Sequence, residues 1–222
     1  MAEPVRIAVL SSGGGSNFQA LVDRFNRAGG PQRAVVGVIA SRADAGVLRR
    51  ARRAGVASAV PPPQAGKEET AEFLLETLAA WRSDIVVLAG YMKLVPERVV
   101  RAYWGRIVNI HPALLPAFGG KGMYGGRVHR AVIEAGTRIT GATVHFVDEA
   151  YDRGPILCQW PVPVLAGDTP ESVAARVLAV EHQILPAAVE SLAAGIVRLG
   201  ADGRAEWARE WFETEVFTNR EG

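Results

Sequence analysis

Asn109 and His111 stand two residues apart in the string "NIHP", at the end of the apolar run "RIVNI". Side chains two apart on a strand point the same way. A carboxamide beside an imidazole suits an oxygen on which negative charge develops, as in acyl transfer. The same pair also reads as a capping Asn and a structural His. Asp152 lies in "DEAYDRGPILCQ", crowded with Asp148 and Glu149. Loop acids are solvated by default, so Asp152 gains chemical meaning only with a partner. Beside His111 it would orient the ring and stabilise its charged form.

A second constellation is "SSGGGSN", residues 11–17, between the apolar run "RIAVL" and "FQALVDRF". Glycines at a helix start expose backbone N–H groups, and the donors and helix dipole together favour phosphate. Asn17 can add a side-chain donor. The loop is neither a P-loop, since no Lys follows in the required place, nor G-x-G-x-x-G, since Phe18 occupies the third position. A tight turn with glycines for packing is the competing reading. His129 opens a helix, His145 lies in a strand and His182 on the terminal helix, and all three read as packing or surface. Cys158 reads as a buried strand residue. "RRARR" reads as a solvated helix face, and no spacing of His, Cys or acids suggests a metal site.

These residues need elements to position them. Residues 5–10, 34–41, 56–60, 84–90 and 106–110 read as strands. Between them lie helices: one capped by Ser16 or Asn17, one capped by Asp44 and ended by Gly55, and one over 67–80 with Phe73, Leu74 and Leu78 inward. Alternating strands and helices predict a parallel sheet covered on both faces, with ligands outside the strands' carboxyl ends. Three loops follow such ends: "SSGGGSN", "GYMKLVP" and "HPALLPAFGGKGMYGG". Residues 139–148 and 154–164 are strands with little between them, so they pair antiparallel. A long helix follows, capped by Thr169 with Pro170 in its first turn and ended by Gly195, with Val173, Val177, Val180 and Ile184 inward. Pro186 predicts a bend or break near Glu181–His182. Short strand pieces and a tail with Trp207 and Trp211 end the chain.

The chain has 222 residues, 49% of them hydrophobic, with a formal net charge of +2. This fits one large domain or at most two small ones, and no charge-driven partner. Only three of the 25 basic residues are lysines: Lys67, Lys93 and Lys121. The single cysteine excludes an internal disulfide framework and fits a reducing cytosol. No apolar run is long enough to span a bilayer, and the first residues lack a secretory pattern. The expectation is a soluble, cytoplasmic protein without nucleic-acid or membrane partners.

"AVLSSGGGSNFQAL", "VVLAGYMKLV", "IVNIHPALLPAFGGKGMYG", "TGATVHFVDEAYDRGPIL" and "DTPESVAARVLAVEHQILP" occur in that order over roughly residues 5–200. Together they resemble the phosphoribosylglycinamide formyltransferase family. The resemblance implies an α/β fold: a single domain with a doubly wound, mixed but mostly parallel sheet of about seven strands. It implies formyl transfer from 10-formyltetrahydrofolate to the amine of glycinamide ribonucleotide in purine biosynthesis, with no metal. The domain would span 1–200, its phosphate-binding half about 1–105 and its folate and catalytic half about 106–200, with 201–222 as a tail.

Carried over residue by residue, Asn109, His111 and Asp152 are the catalytic set. Gly14, Gly15, Ser16 and Asn17 hold the substrate phosphate, the backbone at Met92 meets the glycinamide end, and Glu181 receives the ribose hydroxyls. Folate lies beside Lys93, Leu94 and Val95 and the loop Asp148, Glu149, Ala150 and Tyr151, with Asn109 shared and Lys67 near the folate tail. Many members carry Arg where this chain has Lys67 and Lys93, and Lys lacks the bidentate fork for a carboxylate. The glycines of 119–126 suggest a flap or a second pocket wall, and Leu115–Pro116 matches a cis peptide of the family. The tail either packs on the core or meets another subunit, as in a homodimer.

Three other protein classes share parts of this pattern. Formyltetrahydrofolate deformylase resembles the core but carries an N-terminal regulatory domain, for which a strand beginning at residue 5 leaves no room. Methionyl-tRNA formyltransferase needs a C-terminal tRNA-binding domain, and the tail here is short and not basic enough. A dinucleotide-binding protein would need the third glycine.

Overall fold

In a computed structural model of the chain, residues 3–27 and 32–208 are described. They run β1 (Val5–Ser11), α1 (Ser16–Val22, continued by a π-helical turn Asp23–Arg27), β2 (Arg33–Ala40), α2 (Val47–Ala54), β3 (Ala57–Ala59), α3 (Lys67–Ala80), β4 (Ile85–Ala89) and α4 (Glu97–Ala102). Then follow β5 (Ile107–His111), α5 (Gly126–Glu134), β6 (Ile139–Phe146), β7 (Ile156–Pro163), α6 (Pro170–Ala193), β8 (Val197–Leu199) and β9 (Ala205–Trp207). Among the described residues seven strands form a sheet in the order β3-β2-β1-β4-β5-β6-β7, and β8 pairs with β9. The α/β fold with a mostly parallel seven-stranded sheet is thus as expected. The chain divides into two compact units: residues up to 109 with 147–150, and residues 110–146 with the chain from 151 on.

In the first unit β1 pairs parallel with β2 and β4, and β2 with β3. β4 is buried throughout and β1 along most of its length. Burial on both faces explains why their sequences are continuous apolar runs rather than alternating ones. Leu10, Leu74, Leu78, Val86, Leu88 and Val99 belong to one core cluster. Phe73, expected inward with Leu74 and Leu78, is only partly buried against it. Chain order places β2 and β3 on one side of β1 and β4 on the other, so β1/β4 is the topological switch point.

In the second unit β6 pairs antiparallel with β7, as their short connection requires. α6 packs on both strands and on α5. Thr169 caps α6 by accepting from the Ser172 N–H at 3.3 Å. Arg176 closes a two-pronged ion pair on Asp168, at 2.9 Å for each contact, which holds that carboxyl well below its ordinary range.

Several local expectations are corrected. α1 is capped by Gly15, without a side-chain cap from Ser16 or Asn17. α2 is capped by Gly46, not by Asp44, which pairs with Arg42 instead. Pro186 does not break α6, which is helical from Pro170 to Ala193 with Pro186 buried inside it. Val180, expected inward, is only half-buried. The helix carrying His129 opens earlier, at Gly126. Trp211 lies outside the described residues.

Candidate active site

At the switch point, the loops after β1 and β4 are bound together by two serines. The Ser11 hydroxyl donates to the Ala89 carbonyl at 2.8 Å, and the Ser12 N–H donates to the Gly90 carbonyl at 2.9 Å. The fully buried Ser12 hydroxyl oxygen accepts from the Met92 N–H at 3.0 Å and from the Ser41 hydroxyl at 2.7 Å.

Gly15 is left-handed, with φ +77°. A Cβ there would stand 2.5 Å from Val47 Cγ2 and 2.9 Å from Val47 Cα, so space and backbone both require glycine. That glycine at the cap is the reason no side chain occupies it. The first amides of α1 have no intrahelical acceptor, as in any helix. Gly14 is exposed, Gly15 and Ser16 half-buried and Asn17 buried.

Of the other residues in this unit, Met92 and Leu94 are exposed and Val95 is buried. Lys67, first residue of α3, and Lys93 are both exposed. Asp148 accepts from the Ala150 N–H at 2.9 Å, and exposed Glu149 pairs with Arg101 at 3.5 Å. Asn109, half-buried on β5, closes the first unit's main segment.

The second unit gathers the titratable groups. Asp152 Oδ2 lies 3.6 Å from His111 Nδ1, and its Oδ1 lies 3.6 Å from His145 Nε2. Each imidazole points its other nitrogen at a carbonyl: His111 Nε2 at Phe118 O, 2.8 Å, and His145 Nδ1 at Phe146 O, 2.7 Å. A carbonyl only accepts, so those nitrogens carry protons. Any further proton taken by either ring would then lie between that ring and Asp152.

The Gly-rich segment supplies the rest of the frame, because the Gly120 N–H donates to Asp152 Oδ2 at 2.9 Å. A Cβ on Gly119 would meet Leu115 Cδ2 at 2.5 Å and Asp152 Cβ at 3.3 Å, so glycine lets the segment lie this close without displacing either side chain. Leu115–Pro116 is cis, as the resemblance implied. Thr143 on β6 holds the segment's start by donating to Ala113 O at 2.7 Å and accepting from the Leu115 N–H at 3.1 Å. Asp152 and Phe118 both have φ +55°, sparsely populated for side-chain-bearing residues and typical of built sites.

The electrostatics follow from burial and neighbours. Burial lowers the His111 pKa below its ordinary 6.5, and this outweighs the upward pull of Asp152 and the Phe118 carbonyl. Burial would raise Asp152, but the His145 hydrogen bond, the His111 charge and the Gly120 amide together bring it below 3.8. His129, buried on α5, is lowered by burial and by the nearby His111. Cys158 is buried and its thiol is pushed up to about 12 by desolvation, so it is no nucleophile. Glu181 is buried on α6. Tyr151 is half-buried beside Asp152 in sequence. Among the described residues no group of three or more His, Cys, Asp or Glu stands ready for a metal ion.

His145 was expected to be packing; the fold instead places it on Asp152. Ser12 and the backbone of Phe118 and Gly120 carried no sequence signal of their own. The hint for His145 is its place near the end of β6, the strand that leads into the acidic loop.

The formyl transferase family pattern matches residues 5–189. A phosphoribosylglycinamide formyltransferase of Escherichia coli (strain K12) is 39% identical over 207 residues, covering 91% of this chain and 93% of the relative. The chain belongs to the phosphoribosylglycinamide formyltransferase family. A chloroplastic phosphoribosylglycinamide formyltransferase of Vigna unguiculata is 46% identical over 191 residues; this chain spans 84% of itself and 60% of that relative's length in the match. The crystal structure of glycinamide ribonucleotide transformylase 1 from Symbiobacterium toebii superposes with a TM-score of 0.85 at 42% identity, covering 93% of this chain and 95% of that one. The matched pattern and the relatives' names are those of formyl-transferring enzymes. No helix among the described residues is long and apolar enough to cross a membrane.

Proposed function

We propose that this formyltransferase moves the formyl group of 10-formyltetrahydrofolate to the amine of glycinamide ribonucleotide, giving formylglycinamide ribonucleotide and tetrahydrofolate in purine biosynthesis. The observation that carries the catalytic reading is Asp152 in ion-pair reach of His111, both largely buried. The amine nitrogen attacks the formyl carbon and the carbonyl electrons move to oxygen. Asn109 donates to that oxygen, and His111 joins it once its Nε2–H turns from the Phe118 carbonyl. The proton leaving the amine is held by the Asp152–His111 pair, and one is returned to the folate nitrogen as its bond to the formyl carbon breaks.

Gly14, Gly15, Ser16 and Asn17 receive the substrate phosphate, which the start of α1, left without a side-chain cap, supports. Met92 meets the glycinamide end through its carbonyl, because its N–H is committed to Ser12. Glu181 takes the ribose hydroxyls. Lys93, Leu94, Val95 and residues 148–151 line the folate, with Lys67 at its tail. Residues 119–126 are part of the catalytic frame rather than a free flap, on the strength of the Gly120 contact. The lone Cys158 supports a cytoplasmic setting.

The test is tetrahydrofolate release from 10-formyltetrahydrofolate with and without glycinamide ribonucleotide, for wild type, His111→Ala and Asp152→Asn. Release that requires the ribonucleotide and collapses in both folded variants is expected. Release without the ribonucleotide would mean that water is the acceptor, as in a deformylase.

A further inference from the structure

We propose that Arg50 is a positioning residue for the substrate phosphate, one that turns the glycine loop's amides outward and brings a permanent positive charge to it. This rests on the reading of Gly14–Asn17 as the phosphate loop. Arg50 Nε donates to the Gly14 carbonyl at 2.8 Å. One turn earlier on α2, the Val47 N–H donates to the Gly13 carbonyl at 3.0 Å.

A trans peptide is planar, with its N–H opposite its C=O. Drawing the Gly13 and Gly14 carbonyls to α2 therefore aims the N–H groups of Gly14 and Gly15 away from α2. The Gly15 carbonyl, engaged by the Gln19 N–H at 2.9 Å, aims the Ser16 N–H the opposite way along α1. Three consecutive donors are thus set by three engaged carbonyls, and Arg50 is the only side chain among the groups that engage them. The contact needs α2 close to the loop, and glycine allows it: a Cβ on Gly46 would come 3.2 Å from Gly14 Cα.

The charge is equally specific. Arg42 is paired with Asp44, and Arg49, Arg52 and Arg53 are exposed. Arg50 is half-buried, and among the described residues it has no carboxylate partner. The Nε bond leaves the guanidinium's two terminal amino groups as further donors.

The experiment measures KM for glycinamide ribonucleotide, KM for 10-formyltetrahydrofolate, kcat, thermal stability and competitive inhibition by inorganic phosphate. It uses wild type, Arg50→Gln, Arg50→Lys and, as a control on the same helix, Arg53→Gln. Arg50→Gln should raise the ribonucleotide KM and the phosphate inhibition constant together by about tenfold, the weight of a charge-assisted hydrogen bond. The folate KM should not move and kcat should stay within about twofold. Arg50→Lys should recover part of the loss, because it restores charge but not the Nε contact, and it carries the test if the Gln variant fails to fold. Arg53→Gln should match wild type. Unchanged ribonucleotide KM and phosphate inhibition in Arg50→Gln would overturn the proposal, as would an equal rise in both KM values. If phosphate competes in wild type but Arg50→Gln is silent, only Arg50 fails. If phosphate does not compete in wild type, the phosphate-loop reading fails and this proposal with it.

Discussion

The glycine loop after β1 presents backbone, whereas the cluster around Asp152 presents side chains, and the two are secured in opposite ways. At the loop, side chains hold the backbone: Ser12 grips Met92, and Arg50 grips Gly14. At the cluster, backbone holds the side chains: the Phe118 carbonyl orients His111, the Phe146 carbonyl orients His145, and the Gly120 amide holds Asp152. A site made of amides should therefore be sensitive to chain conformation and tolerant of chemistry. A site made of titratable groups should be the reverse.

Substitutions can break or sharpen that contrast. Asp152→Asn keeps the shape of the cluster and removes its charge, so kcat should fall by about a thousandfold, the scale of lost general acid–base catalysis, with little change in thermal stability. Gly15→Ala does the opposite. It forces an L side chain into φ +77° and onto Val47, and should destabilise the fold by about 2–4 kcal/mol in urea unfolding. Ser12→Ala removes the buried acceptor of the Met92 N–H and should destabilise by about 1–2 kcal/mol.

Gly14→Ala is the finer probe of the same loop. No neighbour lies within 4 Å of a Cβ there, so stability should hold. The ribonucleotide KM should rise by roughly fivefold because a methyl group stands where phosphate approaches. A wild-type KM would argue that the ligand meets another face.

The smallest effect is in pH dependence. His111 and His129 are both pushed below 6.5 by burial, so the unfolded chain takes up their protons first as pH falls. The stability conferred by the neutral rings is full above 6.5 and declines as pH drops through that value towards the folded pKa values. Melting should be lower at about pH 5.5 than at about pH 7.5, and His111→Asn should narrow the gap without closing it, since His129 remains. Asp152, held below 3.8, stays ionised across this range and contributes nothing to the slope.

Much of the arrangement was legible in the chain. α3 spans Lys67–Ala80 as its apolar spacing required, and Thr169 and Gly55 mark helix ends as expected. The antiparallel β6–β7 pair followed from a connection too short for a crossover. The helix starts at Ser16 and Val47 were misread for one reason. Capping rules look for a polar side chain, and both helices begin on a glycine selected by close packing between Gly13–Gly15 and Gly46–Val47. Pro186 predicts a bend or break in α6, yet the helix runs unbroken, and Pro186 and its chain neighbours Ile184, Leu185, Ala187 and Ala188 are all buried. Tertiary burial outweighed one lost backbone bond.

Sequence alone determined most of the elements, the loops that follow strand carboxyl ends, and the residue types able to do acyl-transfer chemistry, because periodicity, turn chemistry and side-chain functional groups are local properties. It could say that Asp152 would matter beside His111, but not that the two meet at 3.6 Å. It gave no reason to separate His145 from any other strand histidine, or Arg50 from the arginines around it. Those assignments depend on which strand pairs with which and on how closely a helix can approach a loop. Such contacts join residues far apart in the chain, and only the folded structure decides them.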